Sequence, residues 1–169
     1  MREMKVGLIG FSGSGKSSIA KEAEKNGYKV LDSDEIISKR YNIDINDLIL
    51  SGREQDFRQM ELEFIKSVLD GDGQFIAFGG GFHSGHPAYN ELAGFEIKLV
   101  FLKATFESLV KRFEKRPLLS LLGLQEYRKL FEKREPLYEK ASDFTITVEG
   151  KTKTEIFREI NGIWNLISH

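Results

Sequence analysis

The stretch Gly10-Phe11-Ser12-Gly13-Ser14-Gly15-Lys16-Ser17 has the spacing G-x-x-x-x-G-K-S and decides the fold of this chain. The apolar residues 6–9 precede it and predict a strand, and the pattern of residues 18–25 predicts a helix. Strand, glycine-rich turn and helix, in this order, form the context that a phosphate-binding loop requires. We therefore predict a nucleoside triphosphate site near the start of the chain, and a chance glycine-rich turn is the alternative.

The residue types in this loop suit phosphate chemistry. Glycines allow backbone N–H groups to curl around phosphate oxygens, because positive φ angles cost them little. The helix that follows adds unpaired N–H donors and a partial positive charge. Lys16 can reach the outer phosphates, and the Ser17 hydroxyl can ligate Mg²⁺. The predicted nucleotide-binding residues of this loop are Gly13, Ser14, Gly15, Lys16, Ser17 and Ser18.

Length and composition restrict the class of protein. The 169 residues fit one domain, 1–169, with a core large enough to fold alone. The 25 basic and 26 acidic residues give a net charge of −1, which argues against a nucleic-acid binder. The chain has no cysteine and no apolar run of the roughly 20 residues that a membrane span needs. With a strand predicted so close to the first residue, we expect a cytoplasmic monomer without a signal peptide.

Strands and helices are predicted to alternate along the whole chain. Short apolar runs follow helical patterns at regular intervals, which is typical of a parallel sheet between helix layers. The fold class expected is therefore α/β, a three-layer αβα sandwich with a five-stranded parallel sheet, as in P-loop NTPases. The predicted strands are residues 6–9, 28–31, 75–78, 97–102 and 144–148.

Two carboxylates follow the second predicted strand. Asp32 and Asp34 are two positions apart, and the glycines of 79–81 follow the third strand. Ligands of such sheets gather at the carboxyl ends of the strands, so these residues are predicted to share a crevice with the P-loop. One carboxylate could stand near Mg²⁺ and the other could accept a hydroxyl proton. The alternative for Asp34 is a helix cap only, since Ser33 or Asp34 can cap a helix over 35–40.

Other polar residues have two interpretations each. Arg58 and Arg134 lie on separate predicted helices and could clamp an anionic acceptor, although a surface salt bridge is the alternative for either one. The triple glycine of 79–81 is either a close approach of backbone to a ligand or a tight turn. His83 and His86 have no acidic or cysteine companions in sequence, so we interpret them as surface loop histidines rather than a metal pair.

The ordered set of motifs resembles the shikimate kinase family, within the nucleoside-monophosphate-kinase-like P-loop proteins. Any one of the pieces is short, but their order along residues 10–148 is specific. The matching pieces are the P-loop, Asp32-Ser33-Asp34, Phe57-Arg58 with Glu61, Gly79-Gly80-Gly81, Arg116-Pro117-Leu118-Leu119, and Arg134-Glu135-Pro136-Leu137-Tyr138.

This resemblance implies Mg²⁺-dependent transfer of the ATP γ-phosphoryl group to the 3-hydroxyl of shikimate. It implies catalytic roles for Lys16, Asp34 and Arg116, with Asp34 as the candidate base. Further roles implied are metal binding by Ser17 and Asp32, an adenine contact by Arg112, and acceptor binding by Asp34, Phe57, Arg58, Glu61, Gly79, Gly80, Gly81 and Arg134. The acceptor region would span about residues 33–61, and a lid would span about 112–124.

Two alternatives remain at this point. One is another small-metabolite kinase of the same architecture, such as a gluconate or nucleotide kinase. The other is a catalytically silent ATP-binding homologue. The sequence also departs from the family pattern, because only three residues separate Arg112 from Arg116 and the adenine loop near Gly150 lacks the usual proline.

Overall fold

The structure is a computed structural model that describes residues 3–112 and 117–168, and the side chains of 117–121 are outside its description. Five parallel strands form a single sheet in the described part of the chain, as the sequence predicts. Apolar, largely β-branched and aromatic residues fill these strands, which suits strands covered on both faces. The strands are β1 (Lys5–Ile9), β2 (Val30–Asp32), β3 (Phe75–Ala77), β4 (Ile97–Lys103) and β5 (Phe144–Thr147).

The strand order is β2-β3-β1-β4-β5. The register places Val6 of β1 opposite Phe75 of β3 on one side and opposite Lys98 of β4 on the other. From β1 the chain first moves out to β2 and returns to β3, and only then crosses to β4 on the opposite side of β1. The loops after β1 and β3 therefore diverge at a topological switch point, where ligands of such sheets bind.

Helices connect the strands, and several of their ends have recognisable cap residues. Gly27 has φ 90° just after the first helix, and Thr152 and Glu155 form a capping box at the start of the last one. A short 3₁₀ turn over Tyr89–Leu92 lies between β3 and β4. The helices are α1 (Lys16–Lys25), α2 (Ser33–Tyr41), α3 (Ile45–Leu50), α4 (Glu54–Leu69), α5 (Phe106–Arg112), α6 (Pro117–Ala141) and α7 (Lys153–Ile167).

Two helix starts differ from the sequence prediction. The cap of α2 is Asp32, whose side chain accepts a hydrogen bond from the backbone N–H of Glu35, so the assignment of this cap to Ser33 or Asp34 was wrong. The helical period of residues 125–139 predicts a helix that begins at Gln125, but α6 begins at Pro117, because proline is tolerated in a first helical turn. Gly123 interrupts it with φ 75° and ψ 163°, which separates a short first segment from the long second one.

The core lies on both faces of the sheet, and phenylalanines contribute much of it. Trp164 of α7 stacks on Phe75 of β3 at 5.5 Å between ring centroids, so it packs the last helix against the sheet. Tyr28 packs edge-on against the same two rings. This packing leaves the carboxyl ends of β1, β2 and β3 open at one edge of the sheet. In the described ranges 3–112 and 117–168, no helix is long and apolar enough to cross a membrane.

Candidate active site

The P-loop connects β1 to α1 and curls around a small cavity. Gly13 and Gly15 have φ angles of 86° and 102°, which a side-chain-bearing residue rarely adopts. Lys16 is the first residue of α1, and its ammonium donates to the carbonyls of Gly10 at 2.6 Å and Phe11 at 3.1 Å. The cationic end of Lys16 is therefore held against the loop itself.

The cavity beside the P-loop has a volume of about 120 Å³. Its walls come from the loop, the first turn of α1 and the ends of β2 and β3. Backbone N–H groups, a lysine, hydroxyls and two carboxylates are concentrated there, which suits a phosphate chain with a cation. The residues around it are Ser12, Gly13, Gly15, Lys16, Ser17, Ser18, Asp32, Asp34, Phe78 and Gly80.

Ser17 and Asp32 provide oxygen ligands of the kind that Mg²⁺ prefers. The Ser17 hydroxyl donates to Asp32 Oδ2 at 2.6 Å, and Asp32 Oδ1 caps α2 at 3.2 Å from the Glu35 nitrogen. No group of three histidine or acidic side chains in the described residues is arranged to hold a metal. Such a pair fits Mg²⁺, which takes one or two protein oxygens and completes its shell with phosphate and water.

A larger cavity of about 930 Å³ opens beside the first. Helix α4 contributes Phe57 and Arg58 to its walls, and α6 contributes Arg134. The two arginines that the sequence analysis placed on separate helices thus face one cavity. The two cavities share three wall residues, which are Ser12, Asp34 and Gly80.

Asp34 stands at the junction of the two cavities. Its side chain is accessible to solvent through the open cleft, yet protein atoms surround it closely enough to make its ionisation unfavourable. This desolvation, reinforced by the negative charge of Glu61, raises the pKa of Asp34 to about 6, while Lys16 opposes the shift. The cap of α2 belongs to Asp32, so the interpretation of Asp34 as a helix cap only was wrong.

Arg58 is held by two glutamates of its own helix. Its Nη1 donates to Glu61 at 2.6 Å and its Nη2 donates to Glu54 at 2.8 Å. Desolvation opposes the charge on Arg58, but Glu61 and Glu54 outweigh it, so the pKa of Arg58 lies above its ordinary value. Only 14% of the Arg58 side chain and 2% of the Glu61 side chain are exposed, so the ion pair is not a surface salt bridge.

The triple glycine lets several polar groups approach one short stretch of backbone. A Cβ atom on Gly79 would lie 2.8 Å from both Asp34 Oδ1 and Glu61 Oε1. A Cβ atom on Gly81 would overlap the guanidinium of Arg58, and one on Gly80 would lie 3.1 Å from the Ser12 nitrogen. Gly79 and Gly81 therefore make room for protein side chains, and Gly80 makes room for the P-loop.

Gly80 also links the cavity to α6. Its carbonyl accepts hydrogen bonds from Arg134 at 3.4 Å and from the hydroxyl of Tyr138. Burial raises the pKa of Tyr138 to about 12, so this hydroxyl remains a donor at neutral pH. In the sequence, Tyr138 is recognisable only as part of the motif over residues 134–138. Its spacing of one helical turn from Arg134 was the available signal, because residues four apart on a helix face the same way.

The prediction of a surface loop was wrong for His86. Its side chain is fully buried, and Nε2 lies 2.7 Å from Glu61 Oε2. His83 is half-buried at the wall of the larger cavity, and desolvation and the charge of Arg134 lower its pKa to about 4. Neither residue has a metal-binding environment in the described part of the chain. The buried partner of His86 is 25 residues away, so no local pattern could reveal it.

Some predicted site residues are not brought into the cavities. Arg112 ends α5 with an exposed side chain and is absent from both cavity walls, so its adenine contact stays a prediction. Arg116 lies outside the described residues, as does part of the expected lid over 112–124. Ser14 is buried, and its hydroxyl has no hydrogen-bond partner in the described part of the chain.

Comparison with protein families and solved structures shows which proteins this chain is similar to. The family model described as shikimate kinase matches residues 12–163. A shikimate kinase from Streptococcus gordonii is 33% identical over 154 residues, which cover 88% of this chain and 93% of that protein. A second, from Thermodesulfovibrio yellowstonii, is 36% identical over 159 residues and covers 90% of each chain.

The fold also matches a solved structure. The crystal structure of shikimate kinase from Aquifex aeolicus superimposes with a TM-score of 0.79 at 28% sequence identity. The match covers 96% of each chain. The parallel sheet and its helices are therefore those of a P-loop kinase throughout.

Proposed function

The chain belongs to the shikimate kinase family, and we propose that it transfers the ATP γ-phosphoryl group to the 3-hydroxyl of shikimate, giving shikimate 3-phosphate. The observation that carries the proposal is the junction of two cavities at Asp34 and Gly80. One cavity has the groups for a phosphate chain, and the other has arginines suited to a carboxylate. A phosphoryl group at the junction would lie beside an acceptor hydroxyl.

The donor side of the site supports ATP as the co-substrate. Lys16 would exchange its bonds to the loop carbonyls for bonds to phosphate oxygens, and it would neutralise charge that develops on the transferring group. Ser17 and Asp32 would hold Mg²⁺, which would supply charge neutralisation at the phosphates.

Asp34 would act on the acceptor hydroxyl. As the acceptor oxygen forms its bond to the γ-phosphorus, the bond from that phosphorus to the β,γ-bridging oxygen breaks and ADP leaves. The hydroxyl proton would pass to the Asp34 carboxylate, which is mostly ionised at pH 7 because its pKa is about 6. A base with a pKa near the working pH is suited to this transfer.

The acceptor side would bind the carboxylate of shikimate through Arg58 and Arg134. A guanidinium has five N–H donors, and the contacts of Arg58 with Glu54 and Glu61 engage two of them. Phe57 and the backbone of Gly80 and Gly81 would complete the walls around the ring. In this arrangement the arginines fix the acceptor at one end, while its hydroxyl faces Asp34 at the other.

We also propose the binding partners, location and oligomeric state of the enzyme. Its partners would be shikimate and ATP, with no nucleic acid and no membrane, and it would act as a cytoplasmic monomer. The balanced charge supports small anionic substrates over a polyanion, because a nucleic-acid partner normally requires a basic excess.

An ADP-release assay over a panel of acceptors tests the proposal. We expect Mg²⁺-dependent turnover with shikimate that exceeds turnover with gluconate or nucleoside monophosphates by orders of magnitude. Activity with one of those acceptors and none with shikimate would replace the proposal with another small-metabolite kinase. Calorimetric binding of ATP and shikimate without turnover would instead identify a catalytically silent homologue.

A further inference from the structure

His86 is the one histidine in the described residues that is fully enclosed, and its ring is fixed from three sides. Its Nε2 lies 2.7 Å from Glu61 Oε2, and its Nδ1 accepts a hydrogen bond from the Ala88 nitrogen at 3.0 Å. Phe82 packs against the ring at 5.1 Å between centroids. Backbone bonds from His86 to His83 at 2.9 Å and from Tyr89 to His86 at 3.0 Å hold the segment in successive turns.

These contacts determine which ring nitrogen carries the proton. A backbone N–H can only donate, so Nδ1 of His86 must be the acceptor and is unprotonated. Nε2 lies against a carboxylate oxygen and therefore carries the proton that it donates to Glu61. His86 is thus a neutral donor, and the negative charge of Glu61 remains available to Arg58.

Glu61 is the link between this histidine and the acceptor cavity. The same oxygen, Oε2, accepts from both His86 and Arg58, and Oε1 approaches Gly79 closely. The carboxylate is almost fully buried, so loss of a donor would leave part of its hydrogen-bonding capacity unsatisfied. A Glu61 side chain that shifts to recover a partner would carry the guanidinium of Arg58 with it.

We propose that His86 is a positioning residue of the acceptor site, which holds Glu61 in place and through it orients Arg58 toward the acceptor carboxylate. The inference rests on the proposed function for its substrate. The part that does not depend on the substrate is that the hydrogen bond between His86 and Glu61 stabilises the folded protein. His86 does not contact the reacting atoms, and its effect should appear in acceptor binding more than in the chemical step.

The main test compares His86→Ala with His86→Gln, whose side-chain amide can restore a donor toward Glu61. We expect His86→Ala to raise the KM for shikimate about tenfold, with the KM for ATP unchanged within about twofold. We expect His86→Gln to recover most of this loss. Equal losses for shikimate and ATP, or an unchanged shikimate KM, would overturn the proposal.

Leu92→Ala provides the control for loss of stability alone. Leu92 is buried in the neighbouring 3₁₀ turn and is absent from the walls of both cavities. We expect this variant to lower the melting temperature without changing the shikimate KM. A shikimate KM that rises in proportion to lost stability in both Leu92→Ala and His86→Ala would show that His86 is merely structural.

Two further measurements separate this inference from the function proposed above. In a Glu61→Ala background, His86→Ala should cause little additional loss of thermal stability, since the bond between the two side chains is already lost, and additive losses would overturn the coupling. The ¹⁵N spectrum of the wild-type ring should show a neutral histidine protonated at Nε2, and protonation at Nδ1 would contradict it. Neither measurement requires turnover, so failure of the wild type to phosphorylate shikimate would count only against the function.

Discussion

The hydroxyl of Ser17 donates a hydrogen bond of 2.6 Å to Asp32 Oδ2, and this bond joins the first turn of α1 to the end of β2. The strand β3 lies between β1 and β2 in the sheet. The bond therefore connects the chain segments that follow two strands which are not neighbours in the sheet. The second carboxylate oxygen of Asp32 caps α2. One side chain therefore supports a helix and presents an oxygen to the phosphate site.

Substitutions of Asp32 should separate these two roles. Asp32→Asn keeps an oxygen for the cap but loses the charge, so we expect weaker Mg²⁺ activation with nearly normal stability. Asp32→Ala loses both, and we expect an additional loss of about 1 kcal/mol in the free energy of unfolding. Activity over a Mg²⁺ titration and urea denaturation measure the two effects. Equal stability of the two variants would show that the cap contributes nothing.

Asp34 should set the acid limb of the pH–rate profile. Its pKa of about 6 lies above the ordinary 3.8 through desolvation and the charge of Glu61, and proton transfer requires the ionised form. We expect kcat/KM for shikimate to rise with pH through about 6 and to level off above it. Glu61→Gln removes the neighbouring charge and should move this limb to lower pH. A profile that does not change with pH in this range would exclude Asp34 as the base.

Asp34→Asn should lose turnover but gain stability. We expect kcat to fall at least about 100-fold, with ATP binding retained, because the nearby P-loop keeps its own groups. Between about pH 4 and 6 the folded protein holds a proton on Asp34 that the unfolded chain has released, so this residue lowers stability as pH rises. An enclosed carboxylate with this pKa shift would lower the free energy of unfolding by roughly 3 kcal/mol. Because water in the open cleft screens Asp34, we expect Asp34→Asn to raise the free energy of unfolding by only about 1 kcal/mol at pH 7.

Steady-state rates, calorimetric ATP binding and urea denaturation at two pH values check this prediction. The stability difference between Asp34→Asn and the wild type should shrink as the pH falls from about 6 to about 4, because Asp34 becomes protonated in the folded protein over this range. If the difference in the free energy of unfolding is the same at about pH 4 and about pH 7, the higher stability of Asp34→Asn does not come from the charge of Asp34.

Gly81→Ala should weaken acceptor binding selectively. A Cβ atom at this position would overlap the guanidinium of Arg58, so the arginine must move. We expect the KM for shikimate to rise at least about tenfold with the KM for ATP nearly unchanged, as measured in steady-state kinetics. Gly162→Ala in α7 is the matched control, because a Cβ atom there meets nothing within 4 Å. It should stabilise the helix by about 0.5–1 kcal/mol without changing either KM.

Tyr138→Phe tests the link between α6 and the triple glycine. The Tyr138 hydroxyl and Arg134 both donate to the Gly80 carbonyl, so loss of the hydroxyl leaves that carbonyl with the longer bond. We expect a loss of about 1 kcal/mol in the free energy of unfolding and a severalfold rise in the shikimate KM. Denaturation and steady-state kinetics on the same preparation give both values. A variant with normal stability and normal KM would show that Gly80 does not depend on this bond.

The predicted architecture was confirmed because its signals are local. The five strands and the P-loop follow from apolar periodicity and glycine spacing within short windows. The helix boundaries were less well predicted where three neighbouring side chains can each cap the same helix. Asp32, Ser33 and Asp34 can all cap a helix, and only the path of β2 decides that Asp32 does so.

The sequence by itself determined the parallel P-loop fold and the phosphate-binding loop, since both depend on residues that are neighbours in the chain. Tertiary structure alone decided that Asp34 and Glu61 meet at Gly79, that His86 is buried against Glu61, and that Tyr138 reaches Gly80. These contacts join residues from 25 to 58 positions apart. Their strength depends on burial and charge, which arise only when the helices pack on the sheet.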